Sequence, residues 1–190
     1  MKVFDDIYRE HRWPGSESRS GWASSLEQTE FLRAVLPGLC ASLGVRSVLD
    51  APCGDGFWMP DLPGYVGVDI VPEAVAASQT RHPDREYRIA DITTDQLPAC
   101  DLVIARDFFI HLSFADGLAA LENLRSTGAR WLMATTALDA VNRDIVTGGV
   151  RRVDMSAAPY DLGLPMALLF NGRLPGKNRR RWLGLWGLDS

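Results

Sequence analysis

Apolar positions first settle into a rhythm at Phe31, Val35, Leu39 and Leu43, spaced four apart and accompanied by Leu32 and Leu36. That stripe predicts an amphipathic helix. Ser24 with Glu27 fits a capping box at its start, and Gly44 marks its end. Pro37 inside it predicts a kink or a break into two pieces. Residues 1–23 mix charge, Trp, Pro, Gly and Ser without a sustained period and read as an irregular arm.

Beyond Gly44 the pattern changes to short apolar runs separated by helical stretches. Val45–Leu49, Tyr65–Val68, Tyr87–Ala90, Leu102–Ala105 and Trp131–Thr135 read as strands. The first unit reads β-loop-α-β-α. Pro72 occupies a favourable first-turn position for a helix through about Arg81. Ser113 with Asp116 caps another, whose Leu118, Leu121 and Leu124 predict the buried face. Such alternation implies an α/β, Rossmann-like, doubly wound parallel sheet, in which ligands bind beyond the carboxyl ends of the strands. After Thr136 the alternation fades. Pro165–Phe170 and Trp182–Leu188 predict an antiparallel closing pair, joined by the basic stretch Asn171–Arg181 as a hairpin loop.

Length and composition fit one domain: 190 residues, 46% hydrophobic and 23% charged. Its parts are the arm (1–23), a core (45–135) and a segment carrying the closing strands (136–190). Net charge of −4 argues against nucleic acid as the main partner. The basic stretch reads as a solvated loop ahead of a phosphate contact. No apolar run is long enough for a membrane, and the charged opening KVFDDIYREHRW offers no signal-peptide core, so a cytoplasmic location is expected. Cys40, Cys53 and Cys100 show no CxxC spacing and read as reduced thiols, with no metal site suggested. Oligomeric state is not legible.

The chemistry concentrates in VLDAPCGDG, Val48 to Gly56. A strand delivers Asp50, and Gly54 and Gly56 let the backbone turn tightly and approach a ligand. Asp69 follows Asp50 by 19 residues, at the end of the next strand, where an acid can accept hydrogen bonds from a ribose. Phe57, Trp58 and Met59 replace the third glycine of GxGxxG, and GK[ST] is missing. A nucleoside without a pyrophosphate fits better than a dinucleotide.

These motifs resemble the class I S-adenosylmethionine-dependent methyltransferases. VLDAPCGDG is similar to that family's first motif, GVDIVPEAV to its second, ADIT (Ala90–Thr93) to its third, and CDLVIARDFFIHL to its fourth-strand motif. WPGSESRSGWAS, NRDI (Asn142–Ile145) and LGLW (Leu183–Trp186) resemble features of a group of small bacterial members. The resemblance implies S-adenosylmethionine as cofactor and methyl transfer to an oxygen or nitrogen of a small molecule in bacterial specialised metabolism, the alternatives being an RNA acceptor or cofactor binding without turnover. Asp69 would then meet the ribose and Asp91 the adenine amine, with Ile70 and Ile92 enclosing the purine. Gly54 and Ala51 would face the methionine amine, beside Asp50 and Gly56. Arg19, with Ser20 and Gly21, would meet the methionine carboxylate. Trp13 is an aromatic candidate near the sulfonium, and Trp58 and Arg106 complete the cofactor set.

Methyl transfer requires in-line positioning, and a base for some nucleophiles only. Asp107 and His111, four apart, would share one side of a helical turn and are the candidate catalytic pair. Asn142, Arg143 and Asp144 are candidates for orienting the acceptor.

Overall fold

The computed structural model describes residues 2–173 and 180–188. Seven strands form one sheet: β1 (Val48–Asp50), β2 (Tyr65–Asp69), β3 (Glu86–Ile89), β4 (Leu102–Ala105), β5 (Trp131–Thr136), β6 (Ala167–Arg173) and β7 (Arg180–Gly187). Their order is β3-β2-β1-β4-β5-β7-β6. The first five run parallel, with Asp50 of β1 opposite Gly67 of β2 and Ile104 of β4. The last two are antiparallel, and Thr136 stands opposite Trp182.

Alternation along buried strands divides the core into two layers. Leu49, Val103 and Leu132 point to one face and join Leu121 and Leu124 of α4 (Phe114–Arg125). Val48, Leu102, Ile104 and Met133 point to the other, where they meet Leu32, Leu36 and Cys40 of α2 (Leu26–Ser42). Ser113 caps α4 as expected, its hydroxyl accepting the Asp116 amide at 3.1 Å. Leu118, expected inside, is 41% exposed, because Gly117, Ala120, Leu121 and Leu124 already fill the covered side.

Four other expectations need correction. The arm is not wholly irregular: it opens with α1 (Lys2–Arg9), which buries Phe4, Ile7 and Tyr8. Those three stand at i, i+3 and i+4, a face masked in the sequence by the acids and arginines around it. The cap of α2 is Ser25, since residues 22–24 form a 3-10 turn first. Pro37 does not divide α2, which continues for 17 residues; the proline lies on the exposed side, where water can serve the carbonyl that loses its partner. Lastly, no helix separates the glycine loop from β2. Pro60, Pro63 and Gly64 fall within eight residues of Phe57 and leave this stretch in turns. The helix after β2 is α3, Pro72–Arg81, as read.

Candidate active site

The parallel strands end along one edge, where the ends of β1 to β4 bring Asp50, Asp69, Asp91 and Arg106 to a cavity of about 370 Å³. Its acidic wall comes from the β1–β2–β3 half. Asp69, 7% exposed, accepts the Gly54 amide on one carboxylate oxygen and the Val71 amide on the other, each at 2.9 Å. Burial pushes its pKa up to about 6 against the pull of those amides. Asp50 accepts the Tyr65 hydroxyl at 2.8 Å, and desolvation raises its pKa to about 7. Asp91 receives the amide and hydroxyl of Thr93 at 2.9 and 2.6 Å; these help to outweigh a desolvation that would raise its pKa, which lies below the usual carboxylate value.

The arm is tied onto the glycine loop. Ser18 and Ser20 donate their hydroxyls to Asp55, the Arg19 amide joins them at 3.0 Å, and the Asp55 amide donates to the Ser20 hydroxyl at 3.0 Å. Gly54 and Gly56 have φ of +58° and +61°, and a Cβ on either would press on a serine, Ser20 at the first and Ser78 at the second. Only glycine takes both positions without strain.

Beyond β4 the wall turns basic. Arg106 is buried: its Nε donates to Asn171 of β6 at 2.6 Å, Nη2 to the Ala23 carbonyl at 2.7 Å, and Nη1 faces Asp107 at 3.5 Å. Its plane lies 4.9 Å from the Trp58 ring centre, and desolvation lowers its pKa to about 10. Asp107 also pairs with Arg181 and receives the Thr135 hydroxyl at 2.8 Å. Against its burial, the two guanidinium groups hold its carboxyl far below the usual range. His111 is half-buried; its Nδ1 lies 2.8 Å from the Gly149 carbonyl and its ring 5.2 Å from that of Trp13. Burial keeps the imidazole below its ordinary pKa. At neutral pH Nδ1 carries the proton it donates to Gly149, leaving the Nε2 lone pair available.

Residues 49–127 match a family model described as a methyltransferase domain. The matched stretch runs from β1 through α4. Among solved structures it is similar to magnesium protoporphyrin IX methyltransferase (ChlM) from Synechocystis PCC 6803 with bound SAM. That match has 16% identity, 97% of this chain and 90% of that one, and a TM-score of 0.65. The PH0226 protein from Pyrococcus horikoshii OT3 gives 15% identity, 95% and 99% coverage and 0.60. A structure titled for conversion of a disulfide bond into a thioacetal group during echinomycin biosynthesis gives 17%, 99% and 91%, and 0.56. At these identities the likeness shows the fold. No curated protein sequence matches the chain.

The cavity has a donor set that would fit S-adenosylmethionine, the ligand named in that ChlM structure. Its volume lies in the range of small-molecule sites, roughly 300–1,000 Å³. Asp69, buried with a raised pKa, is a carboxylate that hydroxyl donors would relieve, while Ile70 and Ile92 supply apolar faces. Trp13, Ser20, Gly21, Asp50, Gly54, Trp58, Asp91 and Arg106 line the same cavity, as do Asp107 and His111.

Other expected residues stand elsewhere. Ala51 is fully buried and Gly56 turns behind the loop, neither lining the cavity. The exposed Arg19 points its guanidinium at the Tyr8 ring, 5.5 Å away, and donates to the Arg9 carbonyl at 3.3 Å; only its amide serves the loop. Asn142, Arg143 and Asp144 stand outside the lining. Asn142 holds its own segment, donating to the Asp154 and Ala158 carbonyls and accepting the Asp154 amide, all at 2.8 Å. Asp144 accepts the Phe114 and Ile145 amides, and the Arg143 carbonyl accepts from Arg151. Asp107 does not share a helical turn with His111: it sits at φ +54° ahead of a 3-10 turn (Phe109–His111), and its ion pairs leave it a poor proton acceptor.

The sequence reading missed Phe4, Tyr8, Cys53, Phe108, Val150 and Arg181 in the lining. Phe4 and Tyr8 were findable from the i, i+4 spacing in α1. Arg181 was hidden in the basic stretch, of which 174–179 lie outside the described residues.

Proposed function

We propose that this chain is a class I methyltransferase that uses S-adenosylmethionine to move a methyl group onto an oxygen or nitrogen of a small molecule, in bacterial specialised metabolism and in the cytoplasm. The observation that carries this reading is His111: a neutral imidazole with one nitrogen fixed by Gly149 and the other available, in the wall of the cofactor's cavity. When bound, S-adenosylmethionine supplies a methyl carbon made electrophilic by its sulfonium. Asp69 and Asp91 hold the ribose and adenine, and the glycine loop, locked by Ser18 and Ser20, fixes the methionine end. His111 Nε2 would take the proton from the acceptor hydroxyl or amine, leaving that atom's lone pair free to attack the electrophilic carbon. Trp13, tilted against the imidazole, helps to set its orientation. Asp107, already paired, orients Arg106 and Arg181 and takes no proton.

No helix among the described residues is long and apolar enough to cross a membrane, and no cluster of His, Cys, Asp or Glu among them suits a metal. Arg181, the last cation of the basic stretch, turns into the cavity, which removes it from any external phosphate-binding surface and favours the small acceptor over RNA.

The test is transfer of labelled methyl from S-adenosylmethionine to a panel of hydroxy and amino compounds, with RNA in parallel. Label in a small O- or N-methyl product supports the reading. Label in RNA alone, or cofactor binding without transfer to any member, overturns it.

A further inference from the structure

The acidic and basic walls lie on opposite sides of β4. Asp69 and Asp91 belong to the ends of β2 and β3, whereas Arg181 stands at the beginning of β7. Because β7 is antiparallel and sets Trp182 opposite Thr136, it enters the sheet at the edge where β4 and β5 leave it. Arg181 therefore reaches the cavity two strands beyond β4. Its charge acts on Arg106, Asp107 and His111.

Its side chain is 9% exposed and lines the cavity, yet only Nη2 meets a partner, the Asp107 carboxylate. Among the described residues nothing else accepts from it. Arg106 differs: each of its three nitrogens already faces Asn171, Ala23 or Asp107. Two guanidinium groups thus share one carboxylate, and the unused donors belong to Arg181. A buried cation with free N–H groups is costly unless an anion meets it, and the planar fork suits a carboxylate.

We propose that Arg181 recognises a carboxylate on the methyl acceptor, which is therefore a monoanionic carboxylic acid with an apolar body. This rests on the proposed function, in which the cavity beyond β4 receives the acceptor. A monoanion fits where a phosphate dianion does not, since Asp107 already holds one edge of Arg181 and would repel the second charge. Trp13, Phe108 and Ile110 supply the apolar contact around His111. A carboxylate held by Arg181 brings the rest of the molecule beside the imidazole, as a proton transfer to Nε2 requires.

The experiment uses the protein saturated with S-adenosylhomocysteine and follows, by calorimetry, the binding of benzoate, phenylacetate, indole-3-carboxylate and straight-chain fatty acids, each beside its neutral carboxamide. Acids are expected to bind at least tenfold more tightly than their amides. Arg181→Gln should erase that preference and Arg181→Lys retain part of it, with S-adenosylhomocysteine affinity within threefold in both. Equal binding of acids and amides, no binding by any acid, or a preference that survives Arg181→Gln overturns the proposal. A tenfold loss of S-adenosylhomocysteine affinity in both variants also overturns it, by placing Arg181 on the cofactor's own carboxylate. Failure of the unsubstituted protein to bind S-adenosylhomocysteine would instead sink the functional reading beneath it.

Discussion

The Ser20 hydroxyl fills the space that a side chain on residue 54 would need. Arm and glycine loop therefore interlock at one point: the hydroxyl both accepts from the Asp55 amide and donates to the Asp55 carboxylate. Gly54→Ala forces a methyl group against Ser20 and places a non-glycine residue at φ +58°. The backbone strain alone costs about 1–3 kcal/mol. Thermal melts should show loss of stability, and calorimetry at least a tenfold loss of S-adenosylhomocysteine affinity. Adding Ser20→Gly relieves the clash and leaves the strain, so it should recover part of both.

Cofactor affinity should depend on pH through Asp69. In the free protein its carboxyl has a pKa of about 6, raised by burial. Hydroxyl donors from a ribose stabilise the ionised form, so binding lowers that pKa and releases a proton below about pH 6. S-adenosylhomocysteine affinity should fall as pH drops from 7 to 5, with proton release seen as a dependence of the binding heat on buffer. Asp69→Asn should flatten the profile and weaken binding at pH 7.5 by about 1.5–3 kcal/mol. An unchanged profile would remove Asp69 from the cofactor site.

His111 should act on turnover alone. Its Nδ1 is committed to Gly149, and burial keeps the ring neutral at pH 7. His111→Ala is expected to lower kcat on an acceptor found by the methyl-transfer assay by about 10²–10⁴-fold, with S-adenosylhomocysteine affinity within threefold. The pH–rate profile of the unsubstituted enzyme should rise to a plateau with an apparent pKa below 6.5, the ordinary histidine value. Loss of cofactor affinity equal to the loss of kcat would make His111 a packing residue of the Trp13 contact.

How much of this was legible follows from the range of the forces involved. Short buried runs such as Leu102–Ala105 announce a parallel sheet because both faces are covered, and Gly54, Asp69 and Asp91 are legible because each occupies the exit of a strand. Long-range pairing leaves no local mark. Nothing near Asn142 says that its amide will close on Asp154 and Ala158, and nothing near Arg106 says that Asn171 and Ala23 will meet it. Arg181 reads as one more cation in a basic run, since the strand that turns it inward is defined by its partner β5. In α1 the failure was local: two apolar pairs among six charged residues in the first twelve gave too weak a stripe against the acids and arginines.

Asp50 and Asp107 should shape stability in opposite directions. Asp50 has a folded pKa of about 7, above its unfolded value of 3.8, because burial disfavours its charge. Its contribution is fully present below about pH 4 and is lost as pH rises through 7. Asp107 is depressed by its arginines, so its contribution is present above about pH 4 and is lost only in strong acid. Without cofactor, the protein should therefore melt lower at pH 8 than at pH 5 as Asp50 and Asp69 ionise. Asp50→Asn removes the charge and keeps an acceptor for the Tyr65 hydroxyl, so it should raise Tm at pH 8 and leave it nearly unchanged at pH 5. A loss of stability at both values would mean that the ionised carboxylate is what the fold requires.

Asn142 separates a role in the fold from a role in binding. Its amide group donates to two carbonyls, and its oxygen accepts the Asp154 amide, which closes the loop between β5 and β6 on itself. It lies outside the cavity lining. Asn142→Ala leaves two carbonyls and one amide without their partner, each costing about 1–3 kcal/mol where water cannot replace it. The expected result is a Tm lower by several degrees, with S-adenosylhomocysteine affinity unchanged. Asn142→Asp keeps the acceptor for Asp154 but loses both donors and sets a charge against two carbonyl oxygens, so it should be no better than alanine. If instead both variants melt like the unsubstituted protein and lose methyl transfer, Asn142 orients the acceptor, and the segment after β5 must close further over the cavity than the geometry shows.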